Sequence, residues 1–224
     1  MPTDAAFKEV TERLIHLVKV FLGWHPSDLT GITTTFGLKE SQGGMHIRFF
    51  GAKTNKNKWS GWVFVPRFSS KYIHLCIVTT IELVRNMAAG MQATQIEVRD
   101  LQNKPAFDFP LFVYKKEGVL YPLANTTISN KTKVLMQEMF KGESTYTPHS
   151  FRHAVASQLA DMGVVKKAVA EHLQIDEATV AKTYTVPVER SYALPQKCVE
   201  KAKHLVHKVL VPWLHSKDST VEFF

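Results

Sequence analysis

The sequence predicts a mainly helical domain with one small antiparallel β-sheet, an α+β fold. Residues 7–22 carry apolar side chains three and four positions apart, which places them on one face of a helix. Residues 45–50 and 59–65 are instead rich in β-branched and aromatic side chains and flank a basic stretch, as in a β-hairpin. Helical spacing then returns and dominates the second half of the chain.

The composition agrees with a soluble globular chain. Of the 224 residues, 45% are hydrophobic, 11% aromatic and 21% charged, which argues against disordered, fibrous and membrane classes. This length is enough to bury one large core, with or without a small appendage. Lys and Arg outnumber Asp and Glu by 28 to 20, for a net charge of +8, and this excess favours a polyanionic partner.

Helix boundaries follow from glycine, proline and the apolar period. Gly23 ends the first helix, and Pro26 opens a second with Asp28 in its first turn. Further helices are expected at residues 72–87, 129–141, 149–162, 164–172, 177–183 and 195–214.

The strands are expected around a basic loop. Residues 51–58 join the two hairpin strands and include Lys53. Residues 33–36 are expected to add a third strand. Residues 95–118 are interrupted by prolines and a glycine and show no regular pattern.

The two cysteines and the N-terminal residues favour an intracellular location. Cys76 and Cys198 each lie in an apolar stretch without a Cys or His neighbour at metal-ligand spacing, so we expect buried thiols under reducing conditions. The N-terminal residues lack the pattern of a signal peptide, and no apolar run is long enough to cross a bilayer. We therefore expect an intracellular protein without a membrane partner.

The most informative motif lies in the last third of the chain. His149, Arg152 and His153 form the pattern H-x-x-R-H at the start of a predicted helix, and Gly163 and Tyr184 follow. Arginine offers a planar fork for two phosphate oxygens, histidine exchanges a proton near neutral pH, and tyrosine is a phenolic nucleophile. These residue types suit cleavage of a DNA phosphodiester by tyrosine, with side-chain cations in place of a metal.

This motif and its spacing resemble the catalytic domain of tyrosine recombinases, the phage-integrase-like family. Upstream, residues 23–32 resemble the family segment that carries its first active-site arginine, with His25 at the arginine position and Asp28 after it. The predicted hairpin matches the family hairpin whose loop supplies an active-site lysine, and Lys53 is the best match. The resemblance covers about residues 10–190.

The resemblance implies DNA recombination or integration, as in mobile elements, through a 3′-phosphotyrosyl intermediate. Tyr184 would be the nucleophile, Arg152 would hold phosphate oxygens, His149 would exchange the tyrosine proton or bind the phosphate, and Lys53 would protonate the leaving oxygen. Double-stranded DNA is the expected partner, with self-association into a dimer or tetramer. No cofactor or metal is implied. The expected location is on DNA, in a nucleus or in the cytoplasm or nucleoid of a prokaryote.

Two positions depart from the family pattern. His25 replaces the first arginine, and a histidine lacks the bidentate fork and is mostly neutral near pH 7. Ile175 falls where the family carries a His or Trp that supports the scissile phosphate, and His172, one helical turn earlier, is a candidate substitute. Losing one such donor costs on the order of 10²–10³ in rate. Two functions therefore stay open: a recombinase with impaired catalysis, and an inactive DNA-binding or assembly protein with the same fold.

Structural roles compete with the functional ones. His149 and His153 are four positions apart on a helix, but no third ligand follows at metal spacing, so zinc is not expected. His153 suits a capping or core role, and Lys53 also suits a solvated hairpin tip. Tyr184 taken alone is more typical of a half-buried packing residue, and its spacing from Arg152 is what favours the nucleophile.

Two regions are expected. Residues 1–190 would form the catalytic-like domain and residues 191–224 a C-terminal helix and tail. The apolar face of that helix would pack either on a neighbouring protomer or on its own core. The family usually has a separate N-terminal DNA clamp, which the resemblance does not cover, so we expect either a catalytic fragment or a protein without the clamp. A single basic domain would hold DNA with an affinity that falls steeply with salt.

Overall fold

The computed structural model describes residues 4–52, 55–66, 92–139, 147 and 149–184. Several predictions lie outside these residues: the helices at 72–87 and 195–214, the two buried cysteines, and Lys53. The same is true of the expected C-terminal region, 191–224.

Helix α1 spans Asp4–Leu22 and confirms the prediction for residues 7–22, with three more residues at its start. One face of the helix is fully buried. Each residue of this apolar stripe is at most 1% exposed: Leu14, Ile15, Val18, Lys19 and Leu22. Gly23 ends the helix in the left-handed region, with its N–H donating to the Lys19 carbonyl at 2.8 Å. The short helix α2, Pro26–Leu29, follows with proline at its first position.

The first sheets confirm the hairpin and shorten its loop. The strands are β1 (Leu38–Ser41), β2 (Gly44–Ile47), β3 (Phe50–Ala52), β4 (Asn55–Trp59) and β5 (Val63–Pro66). β2 pairs antiparallel with β1 and β5, and β3 pairs antiparallel with β4. The predicted loop, residues 51–58, was therefore too long, because some of these residues belong to the paired strands β3 and β4.

The third strand predicted at residues 33–36 is wrong. Thr33 makes only an isolated bridge to Pro110. The amides of Thr35 and Phe36 donate to the buried carboxylate of Asp108, at 3.1 and 2.8 Å, so a side chain takes hydrogen bonds that a strand would give to a neighbour.

Residues 92–122 hold strands that the sequence did not reveal. They are β6 (Gln92–Ala93), β7 (Ile96–Arg99), β8 (Pro105–Asp108), β9 (Val113–Lys116) and β10 (Val119–Pro122). β7 pairs with β8, while β10 lies between β9, antiparallel, and β6, parallel. The described chain thus combines helices with several small sheets, one of them mixed, rather than one antiparallel sheet.

The remaining helices follow the predicted order with shifted ends. They are α3 (Asn125–Met139), α4 (Ser150–Asp161), α5 (Lys166–Leu173) and α6 (Glu177–Thr179), which continues into a π-helix (Val180–Tyr184). α3 starts four residues earlier than predicted, and α5 starts two residues later. Among the described helices, none is long and apolar enough to cross a membrane.

Two apolar clusters position the site. The larger joins α1 and the turn after it to the sheets, and Trp24 packs edge-on against Phe49 with ring centroids 4.8 Å apart. The smaller joins α4, α5 and the first residue of the π-helix, Val180. α1 also packs on α4, so the helix that carries the H-x-x-R-H motif lies against the turn between α1 and α2.

Candidate active site

Arg152 connects the H-x-x-R-H motif to the turn between α1 and α2. It lies in the first turn of α4, and its Nε–H donates to the Gly23 carbonyl at 2.9 Å. Its Nη2 donates to Asp28 Oδ2 at 3.2 Å, forming an ion pair, and the residue is only 8% exposed. Within the described chain these acceptors take two of the five N–H donors, so part of the fork is left for an anion.

Gly23 allows α4 and α5 to pack closely against the end of α1. Its φ of +63° is one that glycine adopts without steric cost. A Cβ at this position would lie 2.8 Å from Leu173 Cδ2 and 3.2 Å from the Arg152 Cα. The absence of a side chain therefore brings α4 and α5 against the end of α1, which places Arg152 within reach of the turn.

His25, the residue at the first-arginine position, caps α2. Its backbone N–H donates to Asp28 Oδ2 at 2.9 Å, and its Nδ1 lies 2.9 Å from Ser27 Oγ. Asp28 thus holds both the start of α2 and the guanidinium of Arg152. Burial raises the pKa of Asp28, against the opposing effects of the His25 amide and Arg152. The His25 side chain itself is exposed, on the same turn.

His149 directly precedes α4, three positions before Arg152, and its side chain is exposed on one side. Its ring lies edge-on to that of His153, with centroids 5.2 Å apart. Partial burial of the ring first, and then the positive charges of His153 and Arg152, lower the pKa of His149. The lowered pKa favours a neutral His149 near pH 7, and an anion bound nearby would oppose the part of this effect that comes from the neighbouring positive charges.

His172, the candidate substitute for the His or Trp expected at position 175, joins α5 to the end of α1 and the turn after it. Its Nε2 is 2.9 Å from the Phe21 carbonyl, and its own carbonyl accepts a hydrogen bond from Trp24 Nε1 at 2.8 Å. Burial lowers the pKa of His172, against the raising effect of the Phe21 carbonyl. A neutral His172 then donates from Nε2, and this contact ties α5 to the end of α1.

Ile175 packs on the smaller apolar cluster. It follows Gln174, which ends α5 in the left-handed conformation with φ +55° and whose Oε1 accepts a hydrogen bond from the Gly61 amide at 3.0 Å. The residue predicted to stand in place of a phosphate-supporting side chain is therefore part of the apolar packing.

Tyr184 is the last residue of the π-helix. That segment packs on both α4 and α5, so the chain at Tyr184 returns to the helices that carry Arg152 and His172. Asp176 begins the preceding helix, accepting a hydrogen bond from the Thr179 amide at 2.7 Å.

Sequence reasoning missed one charged residue of this region, Lys19. It is fully buried, in the last turn of α1, and its Nζ lies 5.4 Å from the centroid of the Phe151 ring. A signal was present, because Lys19 stands four positions after Ile15 and three before Leu22, on the apolar stripe of the helix. A lysine on such a stripe is either buried or reaches to its edge.

The arrangement is a cluster of basic side chains around one carboxylate. Asp28 interacts electrostatically with Lys19, His25 and Arg152. His149 is acted on by Lys19, His25 and Arg152 in turn. Within the described ranges, no group of three or more His, Cys, Asp or Glu residues could hold a metal ion. The cluster suits an anion whose charge these side chains stabilise.

Comparison with known proteins gives a likeness of fold. No family model matches the chain, and no curated protein matches it. Among solved structures, it is similar to the XerH site-specific recombinase bound to its difH substrate in a pre-cleavage complex, with a TM-score of 0.56 and 14% identity over 86% of this chain. It is also similar to the XerA recombinase, with a TM-score of 0.50 and 16% identity over 83% of this chain.

The match spans 47% of the XerH chain and 61% of the XerA chain. This chain therefore corresponds to part of each recombinase. These two similarities support the recombinase-like fold predicted from the H-x-x-R-H motif and its spacing. The described chain has a fold similar to that of these recombinases.

Proposed function

We propose that this chain is a DNA strand transferase of the recombinase or integrase kind, which cleaves and rejoins double-stranded DNA through Tyr184. The observation that supports this most is the fixed guanidinium of Arg152, held by Gly23 and Asp28 in a fold similar to that of a DNA-bound recombinase. A guanidinium held in this way binds two phosphate oxygens and stabilises the charge that develops on them.

The proposed reaction uses side chains alone. The Tyr184 oxygen attacks phosphorus, and its proton passes to His149, whose lowered pKa keeps it neutral and able to accept. The bond from phosphorus to the 5′ oxygen breaks, and Lys53 protonates that oxygen. The 3′ phosphate is then joined to Tyr184, and attack by a free 5′ hydroxyl reverses the step and rejoins a strand.

His25 and His172 have different proposed roles. The exposed His25 offers the phosphate a hydrogen-bond donor from the same turn that holds Arg152. His172 is proposed to position α5 rather than to touch DNA, because its Nε2 is already engaged with the Phe21 carbonyl.

The proposed partner is double-stranded DNA, bound by a dimer or tetramer of this chain inside the cell. The net charge of +8 supports attraction to the phosphate backbone. The XerH structure is a complex with a DNA substrate, which supports the same partner.

Capture of a covalent adduct tests the proposal. The protein is incubated with a pool of duplexes that have randomised sequence around a nick, so that a cleaved strand leaves by diffusion and the adduct accumulates. Wild type is expected to yield denaturation-resistant adducts, and Tyr184→Phe none. Tyr114→Phe, which changes an exposed tyrosine of β9, is the matched control and should behave as wild type. Adducts that persist in Tyr184→Phe would overturn the proposal.

The second candidate is a DNA-binding or assembly protein that no longer cuts. The packing of Ile175 in the apolar cluster and the capping role of His25 favour it. This candidate predicts DNA binding without adducts in the same assay. The adduct yield of the wild type separates the two candidates. The double variant His25→Arg, Ile175→His is a further check on the second, since an inactive protein with an otherwise intact site is expected to gain adducts when both donors are restored.

A further inference from the structure

A buried amine lies behind the Arg152 ion pair. Lys19 is 0% exposed, and its Nζ has no hydrogen-bond partner among the residues that the structure describes. The amine lies over the Phe151 ring, 5.4 Å from Nζ to centroid. Burying an ammonium group without a hydrogen-bond partner is costly, so this amine loses its proton more readily than a surface lysine does.

Lys19 is fixed relative to Arg152 by the backbone. Its carbonyl accepts the Gly23 N–H at 2.8 Å, and the Gly23 carbonyl in turn accepts the Arg152 Nε–H at 2.9 Å. Phe151, which contacts the amine, immediately precedes Arg152 in α4. One glycine thus separates the backbone of Lys19 from the guanidinium.

The charged groups that act on Lys19 come from the two neighbouring helices. Burial and the positive charge of Arg152 lower the pKa of Lys19 to about 7, while Asp28 raises it. His149, at the start of α4, also interacts electrostatically with the amine. Near neutral pH the amine is therefore divided between its two forms, and a small change in local charge shifts the balance.

We propose that Lys19 is a positioning residue that takes up a proton from solvent when a DNA phosphate binds at Arg152. The phosphate offsets the repulsion between the two cations, so the ammonium form becomes favoured. The charged Lys19 then shares the carboxylate of Asp28 with Arg152, which leaves more of the guanidinium charge for the phosphate. Lys19 acts from inside the core and does not touch DNA. This inference rests on the proposed function, because it requires DNA at Arg152.

The test is the pH dependence of DNA affinity. Binding of the full chain to a fluorescent random-sequence duplex is measured by anisotropy at constant ionic strength from about pH 7.5 to about pH 8.5, above the ordinary titration of histidine. A fully linked proton changes Kd by about tenfold per pH unit. We expect the wild-type Kd to rise by nearly tenfold per pH unit. The Kd of Lys19→Met should lose most of this pH dependence.

Two controls make the comparison specific. Lys8→Met removes an exposed lysine from the same helix and should weaken binding without changing the pH slope. Calorimetry of the wild type in two buffers of different ionisation enthalpy should show proton uptake on binding that Lys19→Met lacks, and thermal unfolding verifies that this variant is folded.

The outcomes separate the two claims. Equal pH slopes in wild type and Lys19→Met, with DNA bound by both, would overturn the inference and leave the proposed function standing. Absence of DNA binding by the wild type would overturn the proposed function, and the inference with it. Loss of the slope in Lys8→Met as well would assign the proton to a change in surface charge and would also overturn the inference.

Discussion

The stability of the protein should depend on the ionisation of Lys19. The substitution Lys19→Met keeps an unbranched side chain of nearly the same length and removes the amine. In the native state the pKa of Lys19 falls from its ordinary 10.5 to about 7, whereas the unfolded chain regains the ordinary value. Since each pKa unit corresponds to about 1.4 kcal/mol, the buried amine destabilises the fold by about 5 kcal/mol at pH values below its native pKa.

The direction of the pH dependence follows from the number of protons that each state binds at Lys19. Between about pH 7 and about pH 10.5 the unfolded state binds more protons at Lys19 than the native state does, so stability rises with pH in this window. Lys19→Met lacks this dependence. The variant should be more stable than wild type near neutral pH, and its advantage should shrink by about 2.5 kcal/mol between about pH 7.5 and about pH 9.5.

Urea unfolding of both proteins across this pH range measures the effect, with free energies of unfolding taken from linear extrapolation. The difference between the two proteins isolates Lys19 from the other groups that titrate. Lys8→Met should show no pH-dependent difference from wild type, because Lys8 is exposed. A constant difference between Lys19→Met and wild type would refute the reasoning, since the amine would then keep its charge in the native state.

Three further predictions concern the packing of the site. Asp28→Asn leaves the charge of Arg152 buried without its counter-ion and should cost about 3–5 kcal/mol in urea unfolding; a loss under about 1 kcal/mol would mean that the pair behaves as a surface salt bridge. Gly23→Ala should destabilise more than Gly43→Ala, because both have positive φ but only Gly23 has neighbours that a Cβ would meet; equal losses would contradict the close approach. Trp24→Phe removes the hydrogen bond to the α5 carbonyl and should lower the free energy of unfolding by about 1 kcal/mol, and no change would show that this bond contributes nothing.

The sequence predicted those features that depend on local pattern. The apolar period of α1 and the β-branched runs of β2 and β5 each identified the correct element. The H-x-x-R-H motif likewise fell at the start of α4. In each case, residues close in sequence determine both the local structure and the face that is buried.

Contacts distant in sequence were not predictable in this way. The Arg152 and Asp28 pair joins residues 124 positions apart, and no local period indicates which carboxylate meets which guanidinium. The strands between residues 92 and 122 are two to four residues long, so their pairing depends on context rather than on propensity. The sequence analysis considered only the apolar residues of α1 and so did not single out Lys19, although its position on the apolar stripe indicated burial.

The central claim is that Tyr184 attacks a DNA phosphate held by Arg152. Tandem mass spectrometry of the trypsin-digested adduct tests it most directly, since it locates the nucleotide on one residue. The account predicts a nucleotide joined through its 3′ phosphate to the Tyr184 oxygen, in the peptide that follows Lys182, and no such peptide from Arg152→Ala. A nucleotide on any other residue, or equal yields from wild type and Arg152→Ala, would contradict it.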